Sequence, residues 1–217
     1  MATHTEENYL KALLHLVNAQ GEISVTELSS RLKISAPTAN SMIKKLHAKK
    51  LVNYRKYKPL SLTEKGKKHA ASIIRKHRLT EMFLVEKMGF GWEQVHAIAE
   101  QVEHVDSDLF FDRMDEILGF PTVDPHGSPI PDKNGNIVWK AYDKLSDCTV
   151  GSKVKLSGLM NSSSDFLAFL NSKQLGLGTE LTIEKVESFD KSMTILYGNN
   201  LKEVFSHMVC DNLLVEK

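Results

Sequence analysis

Along the first fifty positions, apolar residues recur at the three-to-four-residue interval of one-sided helices. Tyr9, Leu10, Leu13, Leu14 and Val17 predict an amphipathic helix over Thr5–Asn18, with Gly21 beyond it as a stop. Ser24-Val25-Thr26-Glu27-Leu28 opens a second helix as a capping box, which runs through Leu28 and Leu32 to about Ile34. Ser35-Ala36-Pro37-Thr38 then restarts the chain, with Ser35 as N-cap and Pro37 in the first turn. The continuation to Lys49 turns Met42, Ile43 and Leu46 inward and leaves Thr38, Asn40, Ser41, Lys44 and Lys45 on other faces. Two short helices joined at Lys33-Ile34, the second opening on small polar side chains, predict a helix-turn-helix. From Leu51 to Leu62 the chain reads as two short β-like runs around the basic tip Arg55, Lys56, Tyr57 and Lys58. This is the wing of a winged helix, after which Thr63 caps a helix beginning at Glu64. Residues 1–70 are therefore expected to bind duplex DNA. Ser35, Pro37, Thr38, Asn40 and Ser41 are the candidate DNA-binding residues in the recognition helix, with Thr38, Asn40 and Ser41 nearest the bases; Lys44, Lys45, Lys49, Lys50, Arg55, Lys56 and Lys58 are placed to reach phosphates.

Helical spacing continues through residues 71–140 but carries different chemistry. At about 100° per residue, His96, Glu100, Glu103 and His104 fall in one arc, apart from an apolar stripe of Val95, Ala99, Val102 and Val105. His77 and Glu81 are one turn apart on the preceding helix. Imidazole and carboxylate donors on two successive helices suit Mn²⁺, Fe²⁺, Co²⁺ or Zn²⁺; without a metal, the same residues are a solvated Glu/His face. Pro121–Trp139, rich in Pro, Gly, Asp and Asn, reads as a linker. Beyond Leu145 the period drops to two, at Val154 and Leu156, Leu181, Ile183 and Val186, Met193, Ile195 and Tyr197, and Leu213 and Val215. Short strands around one helix near Asp165–Leu170 predict a small barrel over 145–217.

The net charge of +1 conceals a division. Residues 1–70 hold 13 Lys/Arg against 5 Asp/Glu, whereas residues 71–150 hold 8 against 14. A basic module joined to an acidic one fits a polyanion-binding part coupled to a cation-binding part. Two cysteines, Cys148 and Cys210, give no disulfide framework, and Cys210, among Met208, Val209 and Leu213, is read as core. The polar start of the chain and its short, charge-broken apolar runs predict a cytoplasmic protein with no membrane partner.

Arg75-Lys76-His77-Arg78-Leu79-x-Glu81, Val95-His96 and Glu100-x-x-Glu103-His104-Val105-x-Ser107-Asp108 resemble the diphtheria toxin repressor family of metal-dependent regulators. Ser35-x-Pro37-Thr38 and Pro129-Ile130-Pro131 match as well. The resemblance extends over the whole chain, whose last third resembles the SH3-like, FeoA-type domain of longer members. It implies a mainly α fold with a small β part: an N-terminal winged helix-turn-helix, a helical metal-binding and dimerisation domain, and a C-terminal SH3-like β-barrel. By position it implies a primary metal site of Asn8, Glu100, Glu103 and His104. An ancillary site would comprise His77, Glu81 and His96, extended by Asp124 and His126 of the Asp124-Pro125-His126-Gly127 turn and completed by Asp165. Two positions depart from the family. Asn8 stands where Asp or Met is usual, with Glu7 and His4 near enough to substitute, and Lys11 replaces the second acid of short manganese regulators.

The resulting expectation is a metal-activated, homodimeric DNA-binding repressor of metal-uptake genes rather than an enzyme. Its metal is Mn²⁺ first and Fe²⁺ next, because Glu100 offers a hard oxygen where iron-type relatives carry cysteine. Phe110, Phe111, Met114 and Leu118 are candidates for the dimer interface or, equally, for intradomain core. Two alternatives remain: a winged-helix regulator answering to a small organic ligand, and a His/Glu metalloenzyme. The second lacks both His-Glu-x-x-His and Pro-Cys-x-x-Cys motifs.

Overall fold

Short polar side chains set the ends of the N-terminal helices. The computed structural model describes residues 3–17, 20–56 and 58–217, so Asn18 at the expected end of the first helix and Tyr57 in the wing tip lie outside the described residues. Helix α1 (His4–His15) is capped by Thr3, whose hydroxyl accepts the Glu6 N–H while the Glu6 carboxylate accepts the Thr3 N–H. Ser24 caps α2 (Val25–Leu32), and Lys33 ends it in the left-handed region, φ 53°. Ser35 caps α3 (Ala36–Ala48), with Pro37 in its first turn. Strands β1 (Val52–Asn53) and β2 (Ser61–Leu62) pair antiparallel, Val52 opposite Leu62, to form the wing. The chain continues into α4 (Glu64–Met88), α5 (His96–Val102) and α6 (Asp108–Ile117). Helix α4 runs unbroken for 25 residues and so carries both the segment that begins at Glu64 and the His77–Glu81 turn.

The chain forms two compact units. The first comprises residues 1–80, 99–117 and 130–138. Its core gathers Leu10 and Leu13 of α1, Leu28 of α2, Ile43 and Leu46 of α3, and Ile23 and Leu60, which face each other in an isolated bridge. Each such side chain contributes about 1.5–3 kcal/mol by leaving water. The wing joins α4 at a close backbone approach: a Cβ on Gly66 would lie 1.9 Å from the Leu51 carbonyl oxygen, so only glycine fits. Within this unit, Arg75 donates to Asp115 at 2.6 Å and to the Pro131 carbonyl at 2.8 Å, fixing α6 and the Pro131 segment to α4.

The second unit comprises residues 81–98, 118–129 and 139–217. Its strands β3 (Asp143–Lys144), β4 (Lys153–Leu159), β5 (Glu180–Val186), β6 (Met193–Tyr197), β7 (Leu201–Phe205) and β8 (Leu213–Glu216) form one antiparallel sheet in the order β3-β8-β4-β5-β6-β7. Helices α7 (Ser164–Ser172) and α8 (His207–Asp211) complete it. The buried faces of β4, β5, β6 and β8 carry the alternating residues read from sequence, Val186 at the end of β5 being only partly buried, as expected of a small SH3-like domain. Cys210 lies fully buried among them, and burial pushes its thiol up to about 12.

Candidate metal centres and nucleic-acid interface

In the first unit a buried acid sits at the centre of a charged group. Glu103 follows the last turn of α5, its N–H donating to the Ala99 carbonyl. Its side chain is wholly buried and takes contacts from two sides: His77 Nδ1 on α4 at 2.5 Å, and the Lys11 ammonium on α1 at 2.7 and 2.9 Å. The same ammonium donates to Glu100 at 2.6 Å. Donor atoms of His77, Glu100 and Glu103 lie within 4.8 Å of one another, close enough to share one ion. Buried charge at this density is tolerated only when paired or coordinated.

Asn8 and His104 complete this neighbourhood differently from the expected primary set. The Asn8 side-chain oxygen on α1 is buried and has no hydrogen-bond partner. His104 stacks on His4 at 4.3 Å between ring centroids, and its Nδ1 lies 2.6 Å from Glu7. The other His104 nitrogen stays 3.8 Å from Glu103. His96, Glu100, Glu103 and His104 therefore do not act as one arc, because α5 ends at Val102 and the last two residues occupy the turn beyond it. His77, placed by sequence with the ancillary set, also bonds to Glu103. Glu7 and Lys11 gain direct roles in the charged group. The spacing of Glu7, Asn8 and Lys11 on one side of a helix is the signal that finds both.

The second unit holds a second group. Glu81 is buried, with one carboxylate oxygen 3.2 Å from His96 Nδ1 and the other 3.8 Å from His126 Nδ1. The His126 Nε2–H donates to the Trp92 carbonyl at 3.0 Å, and the Trp92 ring stacks on the imidazole. That donation fixes the tautomer and leaves Nδ1 toward Glu81, the orientation of a metal-ligating histidine. Burial alone would lower the His126 pKa, but Glu81 and Asp124 outweigh it and hold it above the ordinary value. Asp124 accepts the backbone N–H groups of His126 and Ser128 at 2.8 and 2.9 Å. Gly127, at φ +85°, lets this turn close: a Cβ there would meet the Ser157 carbonyl oxygen at 2.4 Å. Donor atoms of Glu81, Asp124 and His126 lie within 4.8 Å of one another. Asp165 is exposed in the first turn of α7 and is not part of that grouping.

The winged helix presents a polar and basic surface. Ser35, Pro37, Thr38, Ser41 and Lys44 of the α3 region are exposed, as are Arg55, Lys56 and Lys58 in the wing. Asn40 is half-buried and donates to the Ala36 carbonyl. Lys49, expected to reach phosphates, pairs with Glu6 of α1 at 2.7 Å, tying the N-terminal helix to the end of α3. Of the apolar residues offered for dimerisation, Phe111 and Met114 are buried within the chain. Phe110 is exposed, together with Leu109, Ile117 and Phe120.

Among the described residues, fold and sites together define a winged-helix protein carrying carboxylate–imidazole groups suited to divalent cations. A family model described as the iron-dependent repressor N-terminal DNA-binding domain matches residues 1–60, and one described as the iron-dependent repressor metal-binding and dimerisation domain matches residues 63–132. The iron-dependent repressor IdeR of Mycobacterium tuberculosis (strain ATCC 25618 / H37Rv) is 36% identical over 127 residues, 58% of this chain and 55% of that protein. The chain thus spans about half the length of the curated relatives it first matches. Solved structures align over nearly its full length. A manganese-dependent transcriptional repressor in complex with manganese superposes with a TM-score of 0.86 at 29% identity, covering 97% of this chain and 98% of that one. ScaR with bound Cd²⁺ gives 0.79 at 30% identity, covering 98% and 99%. The chain belongs to the diphtheria toxin repressor family of metal-dependent regulators.

Proposed function

We propose that this protein is a metal-activated transcriptional repressor that binds operator DNA as a homodimer and controls metal-uptake genes in the cytoplasm. The observation that carries the reading is that a winged helix and a His77–Glu100–Glu103 group, with His77 and Glu103 buried and Glu100 half-buried, occur in one packed unit, with α1 touching both. The named relatives are repressors, which removes the ground for the metalloenzyme alternative. Burial of Glu103, Glu81, His77, His126 and Asp124 argues against a merely solvated Glu/His face and hence against the organic-ligand alternative. Among the described residues no helix is long and apolar enough to cross a membrane. The division of labour follows the charge pattern: DNA binding by 1–70, metal binding and dimerisation by 71–140, and a small β domain over 145–217.

The donor set fits a divalent ion. Asn8 offers a buried oxygen with no other partner, Glu100 and Glu103 offer two negative charges, and His104 an imidazole. These four are the proposed primary site. Glu81, His96, Asp124 and His126 are the proposed ancillary site, with His77 one helical turn from Glu81 on α4 and Asp165 as the outermost candidate. A bound ion would supply a divalent positive charge and directional bonds to these oxygens and nitrogens. The protein's own part is to keep Glu103, Glu81, Asp124 and His126 buried and the donors oriented, through Trp92 on His126, the Asp124 turn, and α1 braced by Glu6 against Lys49. Three oxygens and one nitrogen, without thiolate, favour Mn²⁺, with Fe²⁺ next.

DNA binding against free metal tests this, with wild type and Glu100→Cys in parallel. Wild type should respond to micromolar Mn²⁺, and Glu100→Cys should shift preference toward Fe²⁺ or Co²⁺. A wild-type protein that ignores Mn²⁺ yet answers Fe²⁺ overturns the manganese assignment, and one that binds operator equally without metal overturns the reading itself.

A further inference from the structure

Lys11 is not an ordinary surface lysine. Its ammonium has three N–H donors and meets three carboxylate oxygens, one of Glu100 and two of Glu103, all within 2.9 Å. The Lys11 side chain is only 15% exposed and that of Glu103 not at all, so the ion pair is largely screened from water. An unpaired carboxylate so placed would be strongly disfavoured. Beside the His77 contact, the ammonium is therefore the cation that makes the buried Glu103, with the half-buried Glu100 next to it, tolerable. The primary site proposed above asks the same oxygens to hold a divalent ion.

We infer that Lys11 is a built-in competitor for the metal: it holds Glu100 and Glu103 in the metal-free protein and gives them up on metal binding, and so sets the concentration at which the protein responds. Two cations sharing these oxygens repel each other, and no lone pair of the ammonium is available for coordination. Lys11 also lies one turn along α1 from Glu7 and Asn8, and little further from the Glu6 that holds Lys49 of the DNA-binding part. Release of the ammonium therefore acts on the helix that also braces α3. This assignment rests on the reading of Glu100 and Glu103 as metal ligands.

The test is Mn²⁺ binding to the metal-stripped full chain, followed by calorimetry and by the paramagnetic resonance signal of free Mn²⁺. It compares wild type, Lys11→Met, Lys11→Arg and Glu103→Gln. Lys11→Met removes the charge at similar length. One site should tighten by roughly tenfold or more, the scale of losing a partly buried ionic competitor, with unchanged stoichiometry. Its metal-free melting temperature should fall and the rise on adding Mn²⁺ should grow. Lys11→Arg, which keeps the charge, should bind no tighter than wild type. If Lys11→Met does not fold without metal, Lys11→Gln carries the same expectation. Should Glu103→Gln lose one equivalent of Mn²⁺ while the neutral Lys11 variants bind no tighter than wild type, the metal-site reading stands and the competitor role is overturned. Should Glu103→Gln bind Mn²⁺ as wild type does, the site reading falls, and the competitor role with it.

Discussion

Replacing Asn8 with alanine should make the metal-free protein more stable, against the general tendency of helix-packed substitutions. The Asn8 side-chain oxygen is buried and takes no hydrogen bond, although Asn8 stands within α1. Leaving a buried acceptor unsatisfied costs about 1–3 kcal/mol. Alanine is also the better helix former by up to about 0.7 kcal/mol. Against these stands the lost packing of one short polar side chain, on the order of 1 kcal/mol. The balance favours the variant by about 1–2 kcal/mol, which for a chain of this size raises the melting temperature by roughly 2–8 °C. With saturating Mn²⁺ the order should reverse, because wild type gains ligand-linked stability that the variant has lost. The assay is thermal and urea unfolding of both proteins, first in chelator and then in excess Mn²⁺. A variant less stable than wild type in chelator refutes the reasoning, because Asn8 would then be serving the fold rather than a ligand.

Three further outcomes follow from the same structure. Lys44→Ala and Arg55→Ala should each weaken binding to every DNA sequence and reduce the salt dependence of binding by about one unit, as read by titrations at several salt concentrations; unchanged slopes would place both side chains off the phosphates. The Lys49 ammonium beside Glu6 holds that carboxyl below its usual 4.5, so the pair contributes stability that is complete above about pH 4.5 and lost as pH falls through the depressed value; Glu6→Gln should flatten the acid side of the unfolding profile, and an unaltered profile would contradict this. Gly66→Ala should destabilise the first unit by about 1–3 kcal/mol, since its methyl would press on the Leu51 carbonyl, and a neutral urea midpoint would show that the wing can retreat from α4.

Features that depend on near neighbours in the chain are legible in the sequence itself. Ser24 and Ser35 cap the helices they precede because a cap needs only the next three residues. The alternation at Met193, Ile195 and Tyr197 marks a strand because each buries on the same side of β6. Strand β7 gives no such signal, for the converse reason. It lies at the sheet edge, where Val204 faces out, Glu203 is half-buried and only Phe205 is buried, so its polar pattern does not alternate. The apolar residues of α6 mark a sticky helix, yet spacing cannot say that Phe111 and Met114 pack inward beside the Arg75–Asp115 pair while Leu109 and Phe110 face out.

The donor inventory is equally legible, but its pairing is not. Helical spacing ties His77 to Glu81, four residues away, but gives no sign that the fold also presents His77 to Glu103, 26 residues away. A carboxylate accepts from whichever donor the tertiary packing brings, and at that range periodicity is silent. Lys11 shows what is lost. In sequence it is a basic residue standing where short manganese regulators keep a second acid, and it argues against a cluster of two ions. Folded, it lies between Glu100 and Glu103 and supplies the positive charge that two adjacent acids, one wholly buried, require. At that position this chain therefore carries a resident cation in place of an acid. A site that carries its own counter-charge need not bind metal in order to fold, and that independence is what a sensor of metal requires.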